Sequence, residues 1–249
     1  MIFIPGLASS RETWKAAAER LKDHFRIHLI QIAGFAGEEA RSNAVGPVLT
    51  PTAKAIDAYL VEQHLTPATI VGHSLGGTIA LYLTEKHPSD LKKILLVDAL
   101  PFYPRLIGGP QATPESVKPL ADAIRRGESQ MTDAQQTQFL ASMAMAQSDR
   151  DVIAGWRQAS DKSAVANALA DDFTLDLRPG LARISVPLTL IYPDYARLGT
   201  PPGTSDKIYR GDYAAVPHMT FARADNSLHF VMFDQPAQFN AALDAFLKD

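Results

Sequence analysis

The sequence contains no cysteine, and this absence removes several kinds of chemistry at once. Disulfide bonds, thiolate metal sites and a cysteine nucleophile are all excluded, because each of them needs a thiol side chain. The absence does not identify the compartment in which the protein works. A nucleophile, if the chain carries one, must be another side chain.

Excess charge of one sign and long apolar runs are also lacking. The net charge of -3 and the pI near 6.2 give no electrostatic case for nucleic acid or an anionic membrane as a partner. No apolar run approaches the roughly 20 residues that a membrane-spanning helix needs. With 46% hydrophobic and 20% charged residues, the 249-residue chain has the composition and length of a large globular α/β domain.

Residues 69–83 (TIVGHSLGGTIALYL) form the most informative stretch of the chain. A short apolar run leads into a G-x-S-x-G motif centred on Ser74, and a helical pattern follows it. This context is typical of a nucleophile elbow, in which the serine lies on a strained turn between a strand and a helix. Side chains at the two flanking positions would collide across so tight a bend, which explains both glycines. The stretch therefore predicts Ser74 as a nucleophile; the alternative is a glycine-rich turn with an uninvolved serine.

Apolar runs alternate with helical patterns over most of the chain. The predicted strands are residues 1–4, 26–32, the run before Ser74, 91–97, 187–192 and 219–222. The predicted helices include residues 51–64, the segment after Ser74, and 235–248. This alternation predicts a mostly parallel α/β sheet with helices on both faces.

Residues 100–183 interrupt this alternation, because they contain no strand-like run. Their patterns predict four helices, at 115–126, 133–146, 150–160 and 162–172. A helical insertion after the elbow would lie above the carboxyl ends of the strands, where ligands bind in open α/β sheets. We therefore expect residues 1–99 and 184–249 to form the core and residues 100–183 to form a lid.

Large apolar side chains in the predicted lid are candidates for lining a substrate pocket. The alternative is that they pack inside the lid itself. These residues are Phe102, Tyr103, Met143, Met145 and Trp156.

A serine hydroxyl needs a base to accept its proton, and the base needs an orienting carboxylate. For an elbow serine the expected chain order is serine, acid, histidine. His229 follows the last predicted strand and precedes the final helix, so we expect it to be the base. His218 precedes that strand and would lie at the opposite end of the sheet. His73 is expected to shape the turn without transferring a proton.

Two aspartates are candidates for the orienting acid. Asp98 directly follows the strand at 91–97, and Asp194 follows the next strand, in LIYPDYA. Either carboxylate can hold an imidazole in the required tautomer. Asp98 is favoured because it stands at the very end of its strand, among apolar residues, but Asp194 stays open.

Acyl transfer also needs donors for the developing oxyanion. The expected donors are two backbone amides, one from the residue after the nucleophile and one from the loop after an earlier strand. In this chain they are the amides of Leu75 and Leu7. This chemistry requires no cofactor and no metal ion.

The segments VGHSLGG, LVDALPF, DLRPGL and LHFVMFDQP together resemble the α/β-hydrolase superfamily, in particular its lidded branch related to esterases and epoxide hydrolases. The likeness covers nearly the whole chain. It implies an α/β-hydrolase fold with a helical cap, a nucleophile at Ser74 and a base at His229. Epoxide hydrolases and haloalkane dehalogenases use an aspartate nucleophile, so a serine at the elbow argues against their chemistry.

The chain departs from the family pattern in three places. Pro5 stands where the oxyanion loop usually has a histidine. Asp194 follows Pro187 by seven positions (194 minus 187), whereas the usual acid lies about nine residues beyond that proline; Asp98 instead falls where haloalkane dehalogenases keep their acid. The family also has two strands before the oxyanion loop's strand, so the resemblance predicts that the first two strands are missing here.

Taken together, these patterns predict a serine hydrolase that cleaves a carboxylic ester of a small to medium, hydrophobic molecule through an acyl-enzyme. The expected partner is a small-molecule substrate, with no nucleic acid and no membrane span. Two alternatives remain: hydrolysis of a C–C bond or a lactone by the same residues, and a non-catalytic receptor that uses the pocket under the lid.

Overall fold

A six-stranded parallel sheet forms the centre of the computed structural model, which describes residues 1–129 and 131–248. The strand order is β2-β1-β3-β4-β5-β6, and every neighbouring pair runs parallel. The strands are β1 (Ile2–Ile4), β2 (His28–Leu29), β3 (Ala68–His73), β4 (Leu91–Val97), β5 (Leu188–Pro193) and β6 (Met219–Ala224). The predicted α/β class and parallel sheet are confirmed.

Eleven α-helices connect and cover these strands in the part of the chain that the structure describes. They are α1 (Lys15–Leu21), α2 (Leu49–Glu62), α3 (Leu75–Lys86), α4 (Arg105–Gly108), α5 (Pro114–Arg125), α6 (Asp133–Met143), α7 (Gln147–Ala159), α8 (Lys162–Thr174), α9 (Thr204–Asp212), α10 (Val231–Asp234) and α11 (Pro236–Lys248). Over the described ranges, no helix combines the length and apolar character needed to cross a bilayer.

The central strands are apolar on both faces because both of their faces are covered. Alternate residues of β3 and β4 enter different cores: Ile70 and Leu96 pack with the helices on one face, whereas Val71 and Leu95 pack with the helices on the other. All four of these side chains are fully buried. Burial of each contributes about 1.5–3 kcal/mol, so the central strands hold the end of the sheet in place for the site described below.

Strand β2 is shorter than the predicted strand at 26–32. It lies at the edge of the sheet, and its neighbour β1 is only three residues long. The shared register is limited to the pairs Ile2–His28 and Phe3–Leu29. The apolar pattern therefore continues beyond the pairing that the neighbour can supply.

The connection from β4 to β5 carries helices α4 to α8, and within its described residues no strand occurs, as predicted. Helix α6 ends at Met143, three residues before the predicted end (146 minus 143), because Ala144 is extended (φ -151°, ψ 155°). At the far end of the connection, Asp171 accepts hydrogen bonds from the amides of Val48 and Leu49 at the start of α2. These bonds tie the connection to the sheet domain. The division into a core and a lid stays a prediction.

Candidate active site

Ser74 lies on a strained turn at the carboxyl end of β3. Its backbone angles are φ 51° and ψ -123°, a conformation that costs a non-glycine residue about 1–3 kcal/mol. The Ser74 amide donates to the carbonyl of Val97 on β4 (2.9 Å). Every residue from 70 to 81 is buried except Ser74, which is partly exposed. The elbow geometry predicted from the motif is thus present.

The glycines around Ser74 are required by close backbone contacts. A Cβ atom on Gly76 would lie 2.6 Å from the carbonyl oxygen of Pro5, and one on Gly72 would lie 2.6 Å from the carbonyl carbon of Gly76. A Cβ atom on Gly6 would lie 3.1 Å from the Cβ of Ser74. The loop after β1 therefore packs directly against the serine.

This packing brings the loop that contains Leu7 beside the elbow that contains Leu75. In the described part of the chain, neither backbone amide donates a hydrogen bond to another protein group. Leu75 is nevertheless almost completely buried. Two amides that make no such bond, beside a partly exposed serine, are suited to bind a developing oxyanion.

His229 and Asp98 meet at the carboxyl ends of β4 and β6. The Nδ1 atom of His229 lies 2.6 Å from Oδ2 of Asp98. The imidazole of His229 also contacts the ring of His73, with 4.5 Å between ring centroids, and His73 directly precedes Ser74. The predicted serine, the predicted histidine and the favoured aspartate thus all lie at the carboxyl end of the sheet.

Asp98 is a buried carboxylate with three donors. Besides His229, the hydroxyl of Tyr195 donates to Oδ2 and the hydroxyl of Tyr209 donates to Oδ1. Burial alone would raise the pKa of Asp98, but the facing His229 and the hydrogen bonds from His229 and the two tyrosines lower it below the ordinary value. The Asp98 side chain is therefore ionised at neutral pH.

Asp194 has a different set of partners. Its Oδ1 atom accepts from the amides of Ala196 (3.1 Å) and Ser227 (3.4 Å), and its Oδ2 atom accepts from the amide of Asn226 (3.0 Å). Among the described residues it makes no bond to His229. Asp194 thus supports the turn that precedes His229, and of the two candidate acids Asp98 is the one that bonds to the imidazole.

His73 holds the main chain of His229. Its Nε2 atom lies 3.0 Å from the carbonyl oxygen of His229, so Nε2 carries the proton and donates it. Burial, and then the neighbouring His229, lower the pKa of His73 to about 3, and its ring is neutral at pH 7. This contact was not foreseen from the sequence, which predicted only that His73 shapes the turn.

The end of α6 and the turn after it, residues 144–146, bond to the segment that carries His229. The amide of His229 donates to the carbonyl of Ser142 (3.4 Å) and the amide of Phe230 donates to that of Met143 (2.8 Å). Asp234 bridges the two segments, because Oδ1 accepts from the amide of Met145 and Oδ2 from that of Leu228, both at 2.7 Å. His229 is thus fixed to the β4–β5 connection as well as to the sheet.

Replacing Asp234 with alanine is expected to lower the free energy of unfolding by about 2–4 kcal/mol, because the amides of Met145 and Leu228 lose the carboxylate to which they donate. Urea denaturation at pH 7 measures this loss. The control is Asp151→Ala on α7, an exposed residue whose carboxylate accepts only from the Gln147 side chain, for which we expect a change of about 0.5 kcal/mol or less. Equal losses in the two variants would contradict a joining role for Asp234.

The predicted pocket residues have unequal positions. Phe102 is fully buried, and the Cζ atom of Arg178 lies 4.4 Å from the centroid of its ring. Met143 and Trp156 are partly buried beside the core that contains Phe230. His218 is exposed at the start of β6, at the opposite end of the sheet from His229.

Tyr195 and Tyr209 are the main site residues that sequence reasoning missed. Both follow β5, in a region where the sequence predicted no helix and where α9 is found. The sequence offers one signal for them, because both residues follow a strand whose carboxyl end faces the site. Neither tyrosine belongs to a recognisable motif.

A sequence profile of the alpha/beta hydrolase family matches residues 1–242. The chain is 23% identical to a pimeloyl-[acyl-carrier protein] methyl ester esterase of Salmonella newport, over 98% of this chain and 91% of that protein. It is 25% identical to an N-formylmaleamate deformylase of Pseudomonas putida, over 99% of this chain and 88% of that protein. The fold is similar to that of an esterase from Exiguobacterium antarcticum, with a TM-score of 0.78, 20% identity and coverage of 100% of this chain and 91% of that one. With the parallel sheet and the elbow described above, these matches lead to one conclusion: the chain belongs to the α/β-hydrolase family and is a hydrolase of that fold.

Proposed function

We propose that the protein is a serine hydrolase that cleaves a carboxylic ester through an acyl-enzyme. Ser74 is the nucleophile, His229 the general base and Asp98 the orienting acid. The observation that carries the proposal is the 2.6 Å contact between His229 and Asp98 beside a strained, partly exposed serine. This combination is what nucleophilic catalysis by a hydroxyl requires.

In the proposed first step, Oγ of Ser74 attacks the ester carbonyl carbon and its proton passes to Nε2 of His229. Asp98 accepts a hydrogen bond from Nδ1–H of His229, which leaves the lone pair on Nε2, and its negative charge stabilises the imidazolium as it forms. The negative charge on the carbonyl oxygen is received by the amides of Leu7 and Leu75. Collapse of the intermediate breaks the C–O bond, and the leaving alkoxide takes the proton from His229.

The second step releases the acid. Water attacks the acyl carbon while His229 accepts one of its protons, and the proton returns to Oγ of Ser74 as the acyl–oxygen bond breaks. The reaction consumes one ester and one water and yields one carboxylic acid and one alcohol. These steps use only side chains and amides of this chain together with water.

The relatives support an ester as the substrate class, because the first of them is named for a methyl ester and the structural neighbour is named an esterase. Met143 and Trp156 lie partly exposed near Phe230, the residue after the base. Their apolar side chains favour a small to medium, hydrophobic acyl or alcohol group. Residues 100–183 would cover this group as a lid.

A fluorophosphonate probe tests the nucleophile directly, because it phosphonylates activated serines. We expect one adduct per chain at pH 7, and mass spectrometry should place it on the peptide that contains Ser74. Heat-denatured protein is the control and should stay unlabelled. An adduct on a different serine, or folded protein that does not react, would contradict the proposal.

A further inference from the structure

We propose that Tyr195 and Tyr209 are positioning residues that hold the carboxylate of Asp98 and, through it, fix the orientation of the His229 imidazole. The inference rests on the proposed function, because it concerns the orienting acid of the same site. Both tyrosines act through Asp98.

The hydrogen bonds divide the Asp98 carboxylate between the two tyrosines. Tyr209 donates to Oδ1, and Tyr195 donates to Oδ2, the same oxygen that faces Nδ1 of His229. Both oxygens of the carboxylate are therefore held by hydrogen bonds. Rotation of the Asp98 side chain would break at least one of these bonds.

The two tyrosines come from segments that are themselves rigidly held. Tyr195 lies in the loop after β5 with a left-handed backbone (φ 54°), and its amide donates to the carbonyl of Ser227 (3.3 Å). Tyr209 lies on α9, is almost completely buried and packs on Tyr192, with 4.8 Å between ring centroids. One turn further, the hydroxyl of Tyr213 donates to the carbonyl of Ala99 (3.0 Å). Three hydroxyls thus converge on the end of β4.

A buried carboxylate needs donors, because loss of hydration without replacement costs several kcal/mol. In the described residues, the only side-chain donors to Asp98 are His229 and the two tyrosines. Burial, together with the charge of Asp98, raises the pKa of both tyrosine hydroxyls well above the ordinary value. Both therefore remain protonated donors over the whole pH range of an esterase assay.

The direction of the effect follows from the charge. Each hydroxyl draws negative charge on Asp98 away from His229. When one hydroxyl is removed, the carboxylate has fewer competing donors, and the hydrogen bond that it accepts from Nδ1 of His229 becomes stronger. The same change frees the carboxylate to rotate, so that fewer molecules hold the imidazole in a productive orientation.

The test compares Tyr195→Phe and Tyr209→Phe with the control Tyr192→Phe. The hydroxyl of Tyr192 donates to Asp206 instead (2.5 Å), although its ring packs against Tyr209. With a p-nitrophenyl ester, we expect kcat to fall about 10-fold in each of the first two variants. KM should stay within about twofold of the wild-type value, because neither hydroxyl is proposed to bind the substrate. Tyr192→Phe should leave both measurements near the wild-type values.

A second measurement separates this inference from the proposed function. The Nδ1–H proton resonance of ¹⁵N-labelled His229, assigned by its loss in His229→Gln, reports the hydrogen bond to Asp98 without any substrate. A downfield movement of this resonance in the Tyr195 and Tyr209 variants and not in Tyr192→Phe supports the inference even if the wild type hydrolyses no ester. An unchanged resonance and unchanged kcat in both variants would overturn it, whereas the ester chemistry would stand. Two independent positions keep the test decisive if one variant does not fold.

Discussion

Replacing Ser74 with alanine is expected to lower kcat for an ester by about a million-fold, to the level that binding and the oxyanion donors alone can support. Alanine removes only the Oγ atom, so no group remains that His229 could activate. The loss should appear in kcat and much less in KM, because the serine hydroxyl makes its main contribution in the transition state.

The matched control for this change is Ser142→Ala. Ser142 lies on α6 next to His229, but its hydroxyl donates to the carbonyl of Phe139 one turn earlier (2.7 Å), so its removal should change kcat less than about 10-fold. Steady-state rates with a p-nitrophenyl ester measure both variants. A Ser74→Ala protein that keeps more than a hundredth of the wild-type rate would exclude Ser74 as the nucleophile.

Replacing Asp98 with asparagine is expected to lower kcat about ten-thousand-fold, the size of effect seen when a triad aspartate becomes an amide. The amide carries no negative charge to stabilise the imidazolium, and its NH2 group can donate to Nδ1 and so favour the wrong tautomer of His229. Tyr195 and Tyr209 would then face an uncharged group. The fold should survive, because the amide has nearly the same shape.

Asp194→Asn provides the comparison, since Asp194 was the other candidate acid. Its oxygens accept from the amides of Ala196, Asn226 and Ser227, and the amide keeps one of its two acceptor oxygens. We expect a loss of about 1–3 kcal/mol in the free energy of unfolding and a kcat within about 10-fold of the wild type at temperatures well below Tm. If Asp194→Asn loses more activity than Asp98→Asn, the assignment of the acid is wrong.

The sheet and the elbow could be predicted because their causes are local. Strand β4 ends in an unbroken apolar run, Ile94–Val97, and a run of that kind is typical of a strand between two covered faces. The glycines at 72 and 76 are required by close contacts, and for Gly72 these contacts lie within five residues of sequence. Both predictions can therefore be made without information about distant segments.

The orienting acid depends on distant segments, and for that reason the sequence left it open. Asp98 and Asp194 each follow a parallel strand, and both therefore lie at the carboxyl end of the sheet. What distinguishes them is the contact of Asp98 with His229 and with Tyr209, which lie 131 and 111 positions away in the chain. No pattern within either strand encodes such a contact, and α9, which supplies Tyr209, was not predicted.

The predicted length of β2 was wrong for a related reason. Residues 26–32 have the composition of a strand, but the number of paired residues is set by β1, their only neighbour in the sheet. The end of α6 is similar, because Ala144 becomes extended where the chain meets the loop of His229. In both places tertiary pairing overrides the local preference.

Because the amides of His229 and Phe230 are bonded to the end of α6, the position of the α6–α7 turn and that of the imidazole belong to one conformational equilibrium. A ligand that binds more tightly when these bonds are formed shifts the population towards that arrangement by the ratio of its two affinities. A ligand that displaces the turn shifts the population the other way. Differences in turnover between substrates therefore include how well each one keeps the turn in place, in addition to how well its carbonyl fits against the serine.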